Sequence, residues 1–271
     1  MTLCKVCNSK SEIIFDKIIL NKYKSNYYKC TKCSFVQTDE PFWFEESYLS
    51  AITSLDIGLP QRNLDLKEDT RKIINSCFSE AKLFLDYAGG YGLFVRYMRD
   101  QGFDFYRQDD YCENLFAKHF DVLDTDYKKF DVVTAFEVFE HFRNPIEEIE
   151  KVLKYSDTII FSTELLPSNN TDIENWWYIT NETGQHIAFY SEKTMRFIAE
   201  KFNLKYYNKN NSLHIFTSKS LTTLQLKFAF KKVRKYSLSY FKGKFYGVNS
   251  KIKRNSLLEK DYNFIKNNLY K

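Results

Sequence analysis

The chain has 271 residues, a formal net charge of +5, 44% hydrophobic residues and 18% aromatic residues. Its hydrophobic content excludes wholesale disorder, and its length accommodates one large core or two smaller ones. The sequence has no signal-peptide pattern and no apolar run of the ~18 residues that a membrane-spanning helix needs. We therefore expect a cytoplasmic protein whose thiols are reduced.

Two pairs of cysteines stand near the N-terminus, Cys4 with Cys7 and Cys30 with Cys33, each spaced C-x-x-C. Each pair can give two thiolates to one tetrahedral zinc ion, and the intervening residues can form a β-hairpin. Because all four ligands would come from the protein, the predicted Zn²⁺ site is structural. A redox pair or a disulfide is the alternative interpretation.

A glycine-rich turn follows an apolar strand predicted over residues 83–85. A helix and a second strand, 103–107, come next, and the acids Asp109 and Asp110 follow that strand. This order is typical of a nucleotide-binding α/β unit, in which the turn approaches the ligand and the acid binds ribose hydroxyls. The third glycine of the dinucleotide pattern G-x-G-x-x-G is missing.

The turn, D-x-x-G-G-x-G, resembles motif I of class I S-adenosylmethionine (SAM) methyltransferases, which usually reads D-x-G-x-G-x-G. Ala88 stands where that motif has its first glycine. The resemblance implies that Asp86 and Gly90 contact the methionine end, that Gly92 starts the helix, and that Asp109, or else Asp110, binds the ribose. The cofactor-binding residues that we predict are Asp86, Ala88, Gly89, Gly90, Gly92, Asp109 and Asp110.

A second segment, FDVVTAFEVFEH, covers residues 130–141 and predicts a buried strand over 132–136. Its end resembles the E-V-x-E-H segment after the fourth strand of quinone and sugar O-methyltransferases, and this implies that Glu137, Glu140 and His141 line the methyl-transfer site. The alternative is that these are polar loop residues that cap a helix.

Residues 164–190 form a long insertion after a fifth predicted strand, and they include Trp177, Tyr178 and His186. Loops beyond the carboxyl ends of strands bind ligands in open α/β sheets. Aromatic planes suit the faces of a sugar ring, although the tryptophans could instead belong to the core.

O-methylation of a sugar requires a base, since a sugar hydroxyl does not ionise unaided near pH 7. We predict His141 as this base, slightly ahead of His186, with the other imidazole bonded to the acceptor. Glu137 and Glu140 are predicted to orient a histidine or to bind a sugar hydroxyl. His119, on a helix predicted over 113–120, is assigned a structural role.

Two further strands, 204–208 and 212–217, complete the seven-stranded, Rossmann-like sheet that we predict, with 120–124 as its short third-strand region. The order of features resembles zinc-ribbon methyltransferases of polysaccharide and deoxysugar pathways, including sugar C-methyltransferases. The resemblance covers roughly residues 1–219, among them a segment from Asp56 to Asn63. It implies a zinc ribbon that acts as a substrate-side lid.

We expect three parts: residues 1–60 as zinc ribbon and lid, 61–219 as SAM-dependent methyltransferase domain, and 220–271 as a basic, helical extension. The leading prediction is methyl transfer to a sugar, nucleotide-linked or within a capsule- or O-antigen-type polysaccharide. The alternatives are a phosphorus-bearing capsule decoration, a phenol or quinone, or RNA as acceptor. A non-catalytic zinc-containing binding module remains a third class.

The C-terminal segment, 221–271, contains thirteen Lys or Arg residues and two acids. Its basic, aromatic character suits a helix packed on the domain, with its lysines in solvent. A peripheral contact with the inner face of a membrane or with a glycan-assembly partner is the second interpretation, and nucleic acid is the third.

Overall fold

The computed structural model describes residues 2–49, 53, 55–231 and 254–268. Within these residues the chain forms two sheets and eight α-helices. The strands are β1 (Thr2–Leu3), β2 (Lys10–Ile19), β3 (Tyr23–Cys30), β4 (Val36–Thr38), β5 (Leu83–Tyr87), β6 (Asp104–Gln108), β7 (Val132–Phe136), β8 (Thr158–Ser162), β9 (Ala188–Phe189), β10 (Lys205–Asn208) and β11 (Leu213–Thr217). The helices are α1 (Phe44–Ser47), α2 (Leu59–Cys77), α3 (Leu93–Asp100), α4 (Pro145–Leu153), α5 (Asn170–Glu174), α6 (Glu192–Lys201), α7 (Thr223–Ala229) and α8 (Leu258–Asn268).

The larger sheet has the strand order β10-β11-β8-β7-β5-β6. Strands β6, β5, β7 and β8 run parallel, and β11 is antiparallel to both β8 and β10. Strands β5, β7 and β8 are largely apolar and buried, as is usual in a parallel sheet covered on both faces, whereas the edge strand β6 carries Asp104, Arg107 and Gln108. This mixed α/β sheet confirms the predicted Rossmann-like class, and the terminal antiparallel hairpin lies where the sequence places it.

The described part of this sheet has six strands rather than the predicted seven. Where a third strand would extend the sheet, only one parallel bridge forms, between Arg107 and Asp121. The Asp121 carboxylate accepts hydrogen bonds from Arg107 Nε (2.6 Å) and Asn114 Nδ2 (2.9 Å), and residues Val122–Asp124 then turn into a 3-10 helix. The β-ladder therefore ends after this one bridge, and side-chain hydrogen bonds to Asp121 hold the segment in place instead.

The helix predicted over 113–120 is absent: these residues form bends and turns. Their backbone is held by Asn114, whose side-chain oxygen accepts from Ala117 N (2.8 Å), and by bonds from Leu115 N and Phe116 N to Tyr91 O. His119 has a φ of 70°. Asparagine competes with a helix by bonding nearby backbone groups, and here that competition prevails.

The smaller, antiparallel sheet has the order β1-β2-β3-β4-β9, so its last strand comes from the insertion after β8. The N-terminal segment and the insertion therefore share a ladder. Trp43 adds a cross-link by donating from Nε1 to Gly184 O (3.0 Å), and Gln185 Nε2 donates to Ser47 O (2.8 Å). A Cβ at Gly184, whose φ is +67°, would lie 2.9 Å from Ile19, so this close approach requires glycine.

Arg99 of α3 anchors the described C-terminal residues. It is buried and donates from Nε and Nη2 to the equally buried Asp261 of α8 (2.8 and 2.9 Å). Much of the predicted basic extension, residues 232–253 and 269–271, lies outside the described residues. Of the basic stretch on which membrane contact was predicted, Lys227 and Lys231 are described and exposed, whereas Lys232, Arg234 and Lys235 lie outside the described residues. No helix in the described part of the chain is both long and apolar enough to cross a membrane.

We predict that Asp261→Ala destabilises the protein by about 3 kcal/mol, because Arg99 would be left buried without its main partner. Urea unfolding measures the change. Glu259→Ala, which removes an exposed carboxylate of the same helix, is the matched control and should change the free energy of unfolding by less than about 0.5 kcal/mol. Equal effects of the two substitutions would contradict the anchoring role.

Candidate active site

The glycine-rich turn connects β5 to α3 at the carboxyl end of the parallel sheet. Ala88 adopts a φ of 53°, in the left-handed region that favours glycine, at a cost of ~1 kcal/mol. A Cβ on Gly89 would come within 2.7 Å of Asp86 Oδ2 and 2.9 Å of Arg107 Cγ. The predicted Gly92 does cap the N-terminus of α3.

Asp86 lies at the carboxyl end of β5, and only 3% of its surface is exposed. Its Oδ1 accepts a 2.6 Å hydrogen bond from the Thr134 hydroxyl on the neighbouring strand β7. Burial, assisted by the nearby Asp109 charge, raises the pKa of Asp86 to about 7. A cationic group bound here would favour the ionised carboxylate.

Asp109 follows β6 and bonds three backbone N–H groups with its two oxygens. Oδ2 accepts from Gly90 N (2.9 Å), and Oδ1 accepts from Tyr111 N (2.8 Å) and Cys112 N (2.7 Å). The carboxylate thus fixes the turn and the loop after β6 relative to each other. Asp110 is exposed and bonds only the Gln108 amide among the hydrogen bonds of the described residues.

One cavity of about 720 Å³ joins the turn to the loops beyond it. At one end it is lined by the turn, Asp86, Asp109 and Asp110, and at the other by side chains from the N-terminal segment and the insertion. The latter end includes Tyr48, Arg62, Glu137, His141, Trp177, Tyr178 and His186. The structure therefore brings together the two groups of residues that the sequence predicts to bind cofactor and acceptor.

Glu137 is the first residue after β7 and has a φ of 54°. Ser162 holds this strained conformation: its hydroxyl accepts from Glu137 N (2.9 Å) and donates to Glu137 Oε1 (2.6 Å). Left-handed backbone in a residue other than glycine costs ~1–2 kcal/mol and persists where the surroundings impose it. Here it directs a carboxylate into the cavity.

Glu140, His141 and His186 form a polar cluster beside Glu137, in which Glu140 is buried and the two histidines are half-buried. Glu140 Oε1 accepts from the Tyr178 hydroxyl (2.6 Å). Nδ1 of His141 lies 3.1 Å from Gln185 O, and Nδ1 of His186 lies 2.6 Å from Tyr178 O. Because a carbonyl oxygen only accepts, both Nδ1 atoms carry the proton, and Nε2 of each ring keeps its lone pair.

Burial shifts the titration of this cluster. It raises the pKa of Glu137 to about 7, with the neighbouring Glu140 charge as the second cause, and it raises the pKa of Glu140 to about 7. Burial also lowers the pKa of His141, and it lowers that of His186 to about 3. Both imidazoles are thus neutral at pH 7, which is the protonation state of a general base.

Tyr48 and Arg62 also line this end. The sequence places Tyr48 in an aromatic cluster suited to closing over a small ligand or packing on the next domain, and it assigns Arg62 no role of its own. The Tyr48 ring lies 6.2 Å from the His141 ring and 5.4 Å from that of Tyr111. Arg62 bonds Asp56 through both terminal nitrogens (2.9 and 2.7 Å). For Arg62, the signal in the sequence was the segment from Asp56 to Asn63, which resembles zinc-ribbon methyltransferases.

The four N-terminal cysteines meet at one point and are free of disulfides. Sγ of Cys4 lies 3.6 Å from Sγ of Cys33, and Sγ of Cys7 lies 3.4 Å from Sγ of Cys30. Tetrahedral zinc with Zn–S bonds of ~2.3 Å would place sulfurs about 3.8 Å apart. Backbone amides also point at sulfur, for example Val6 N to Cys4 (3.4 Å), as suits thiolates. The site therefore fits zinc.

Fold and site together define a class I SAM-dependent methyltransferase. A family model described as a methyltransferase domain matches residues 61–209, more than half of the chain. The chain belongs to this methyltransferase family. The interpretation as a non-catalytic binding module is thereby set aside.

Solved structures with a similar fold share little sequence with this chain. The plantazolicin methyltransferase BpumL, in complex with a monoazolic desmethylPZN analog and SAH, is 16% identical, with a TM-score of 0.46 over 68% of this chain and 83% of its own. Magnesium protoporphyrin IX methyltransferase (ChlM) from Synechocystis PCC 6803, with bound SAH, is 13% identical, with a TM-score of 0.39 over 65% of this chain and 95% of its own. None of the curated proteins matches the chain.

We predict that Asp109→Ala weakens binding of S-adenosylhomocysteine by about 10- to 100-fold, since three backbone N–H groups lose their acceptor and the turn loosens. Calorimetric titration measures the affinity. The adjacent Asp110→Ala is the matched control, with a change of less than about threefold. The reverse order of the two effects would assign the cofactor contact to Asp110.

Proposed function

We propose that this methyltransferase transfers the methyl group of SAM to a hydroxyl of a sugar, either nucleotide-linked or within a capsule- or O-antigen-type polysaccharide. The observation that carries the proposal is the composition of the far end of the cavity. Exposed aromatic surface stands there beside hydrogen-bonding groups: the Trp177 side chain is 70% exposed next to Tyr178, and His141 and His186 lie beyond it. Sugar rings present one apolar face and several hydroxyls, which this combination suits.

The cofactor residues are assigned within this proposal as the sequence predicts them. Asp86 would hold the amino group of the methionine end, and the backbone from Ala88 to Gly92 would follow the cofactor closely. Asp109 would fix the ribose end of the site. When bound, SAM supplies an electrophilic methyl carbon, so the task left to this chain is to align the acceptor and remove its proton.

Proton removal is assigned to His141, ahead of His186. Its Nδ1–H is directed to Gln185 O, so Nε2 presents a lone pair, and burial keeps the ring neutral before the reaction. His186 would then bond the acceptor. Glu137 and Glu140 would orient these groups and balance the positive charge that an imidazole gains when it takes the proton.

An acceptor panel tests the proposal: nucleotide sugars, surface-type oligosaccharides, a catechol, a phosphorylated glycan and RNA, each incubated with SAM and analysed by mass spectrometry. We expect methylation in the sugar arms. His141→Ala should lower kcat by about 10²–10⁴-fold with unchanged affinity for S-adenosylhomocysteine, whereas His119→Ala, an exposed control, should not. Methylation confined to the catechol or RNA would refute the sugar acceptor.

We further propose that residues 1–60 act as the lid, residues 61–219 as the catalytic domain and residues 220–271 as the extension. Within the lid, a structural zinc ion is held by Cys4, Cys7, Cys30 and Cys33. Two hairpin-like knuckles support the zinc proposal: the residues after each cysteine pair, Asn8 and Ser34, have φ of 56° and 64° and donate to Cys4 O and Cys30 O. This pairwise symmetry directs four thiolates to one centre.

Cys30→Ala is expected to remove one zinc equivalent per chain and to expose the amides of β2 and β3 to hydrogen exchange, because the ion joins the two ends of that hairpin. Elemental analysis and exchange mass spectrometry measure both effects. Cys77→Ala, a buried thiol outside the cluster, is the matched control and should keep the ion. Retention of zinc by Cys30→Ala would overturn the assignment.

A further inference from the structure

A second set of metal-ligating side chains lies beside the cavity: His141 and His186 line it, and the adjacent Glu140 is wholly buried. Glu140, His141 and His186 each offer a ligating atom, and these three atoms lie within 4.8 Å of one another. Apart from the four cysteines, this is the one such group among the residues that the structure describes. The two imidazole rings meet edge to face, with centroids 5.0 Å apart.

Both imidazoles are held as metal-bound imidazoles usually are. A ligating histidine generally donates its second ring nitrogen to a carbonyl or carboxylate, which fixes the tautomer and the ring orientation. Here Nδ1 of His141 donates to Gln185 O and Nδ1 of His186 donates to Tyr178 O. Each ring therefore has only its basic Nε2 to offer to a ligand.

Glu140 supplies an independent observation. The residue is wholly buried, and Tyr178 bonds one of its carboxylate oxygens. The other oxygen, Oε2, is buried without a hydrogen-bond partner in the described structure. A buried carboxylate oxygen without a partner is costly, and a cation beside it would remove that cost. Glu140 thus brings a buried, incompletely paired carboxylate close to the two imidazoles.

We propose that Glu140, His141 and His186 bind one divalent transition-metal ion, with zinc as the natural candidate. Two imidazoles and one carboxylate form a common catalytic ligand set, which leaves positions open for substrate oxygen. With bonds of ~2.0–2.1 Å, tetrahedral coordination would place the ligand atoms about 3.4 Å apart. The ligating atoms, which now lie within 4.8 Å of one another, would have to move closer to reach that spacing.

The inference rests on the proposed sugar acceptor and changes the part that the histidines play. An ion here would bind the acceptor hydroxyl and lower its pKa, so the imidazoles would act as ligands instead of as the base. The hydroxyl proton would pass to the Glu137 carboxylate. The acceptor oxygen would then form its bond to the methyl carbon as the carbon–sulfur bond breaks, and S-adenosylhomocysteine would leave with that electron pair.

Metal stoichiometry of the full chain tests the proposal without an activity assay. The protein is equilibrated with Zn²⁺, desalted and analysed by elemental mass spectrometry. We expect two zinc ions per wild-type chain, and one each in His186→Ala and in the isosteric Glu140→Gln. His119→Ala, an exposed histidine outside the cavity, should keep two. Circular dichroism and binding of S-adenosylhomocysteine confirm that each variant is folded.

Cobalt substitution identifies which site is filled. The Co²⁺-loaded Cys30→Ala chain should keep a weak ligand-field spectrum without thiolate charge-transfer bands, and this spectrum should vanish on adding His186→Ala. A wild-type chain whose bound ions are all lost in Cys30→Ala would overturn the proposal, as would His186→Ala retaining two ions. In either case the histidines remain available as the base, and intact sugar methylation would leave the proposed function standing.

Discussion

The active site depends on the pairing of the N-terminal sheet with the insertion that follows β8. Strand β9 of the insertion joins that sheet, and hydrogen bonds of Trp43 and Gln185 cross the junction. The N-terminal segment, more than a hundred residues away in sequence, therefore encloses the end of the catalytic sheet. Without this cover, the loop after β7 would face solvent. The perturbed carboxylates and imidazoles of the cavity are consequences of this enclosure, since burial is the largest cause of each shift.

The cysteine cluster strengthens the same junction from the opposite side. Thr194 and Ser191, at the start of α6, both donate to Cys33 O, and the cysteines pack in one core with Phe139 and Tyr190 of the catalytic domain. Tyr190 in turn donates to Phe139 O, next to Glu140. An ion bound by the cysteines would thus stiffen the backbone that presents the catalytic loop, although its ligands contribute nothing to the cavity itself.

The cofactor turn shows how a departure from a motif can be absorbed. Ala88 takes the left-handed conformation that a glycine would adopt more easily, while the position that tolerates no side chain, between Asp86 and Arg107, is occupied by Gly89. Asp109 then ties the turn to the loop after β6. The strain of one alanine is small beside the hydrogen bonds that hold the turn: Gly89 N donates to Gln108 O, Gly90 N to Asp109, and Arg107 Nη1 to Gly90 O.

Local patterns in the sequence were sufficient for the parallel strands and the convergence of four cysteines, because apolar runs and C-x-x-C spacing act over a few residues. They failed for the third strand, where Asp121 bonds Arg107 of another element, and for the helix over 113–120, where Asn114 bonds the nearby Ala117 backbone. The pairing of His141 with His186 and the unpartnered oxygen of Glu140 were decided by tertiary structure alone. They arise from packing between distant segments, and no periodicity in the sequence encodes the distance between two loops.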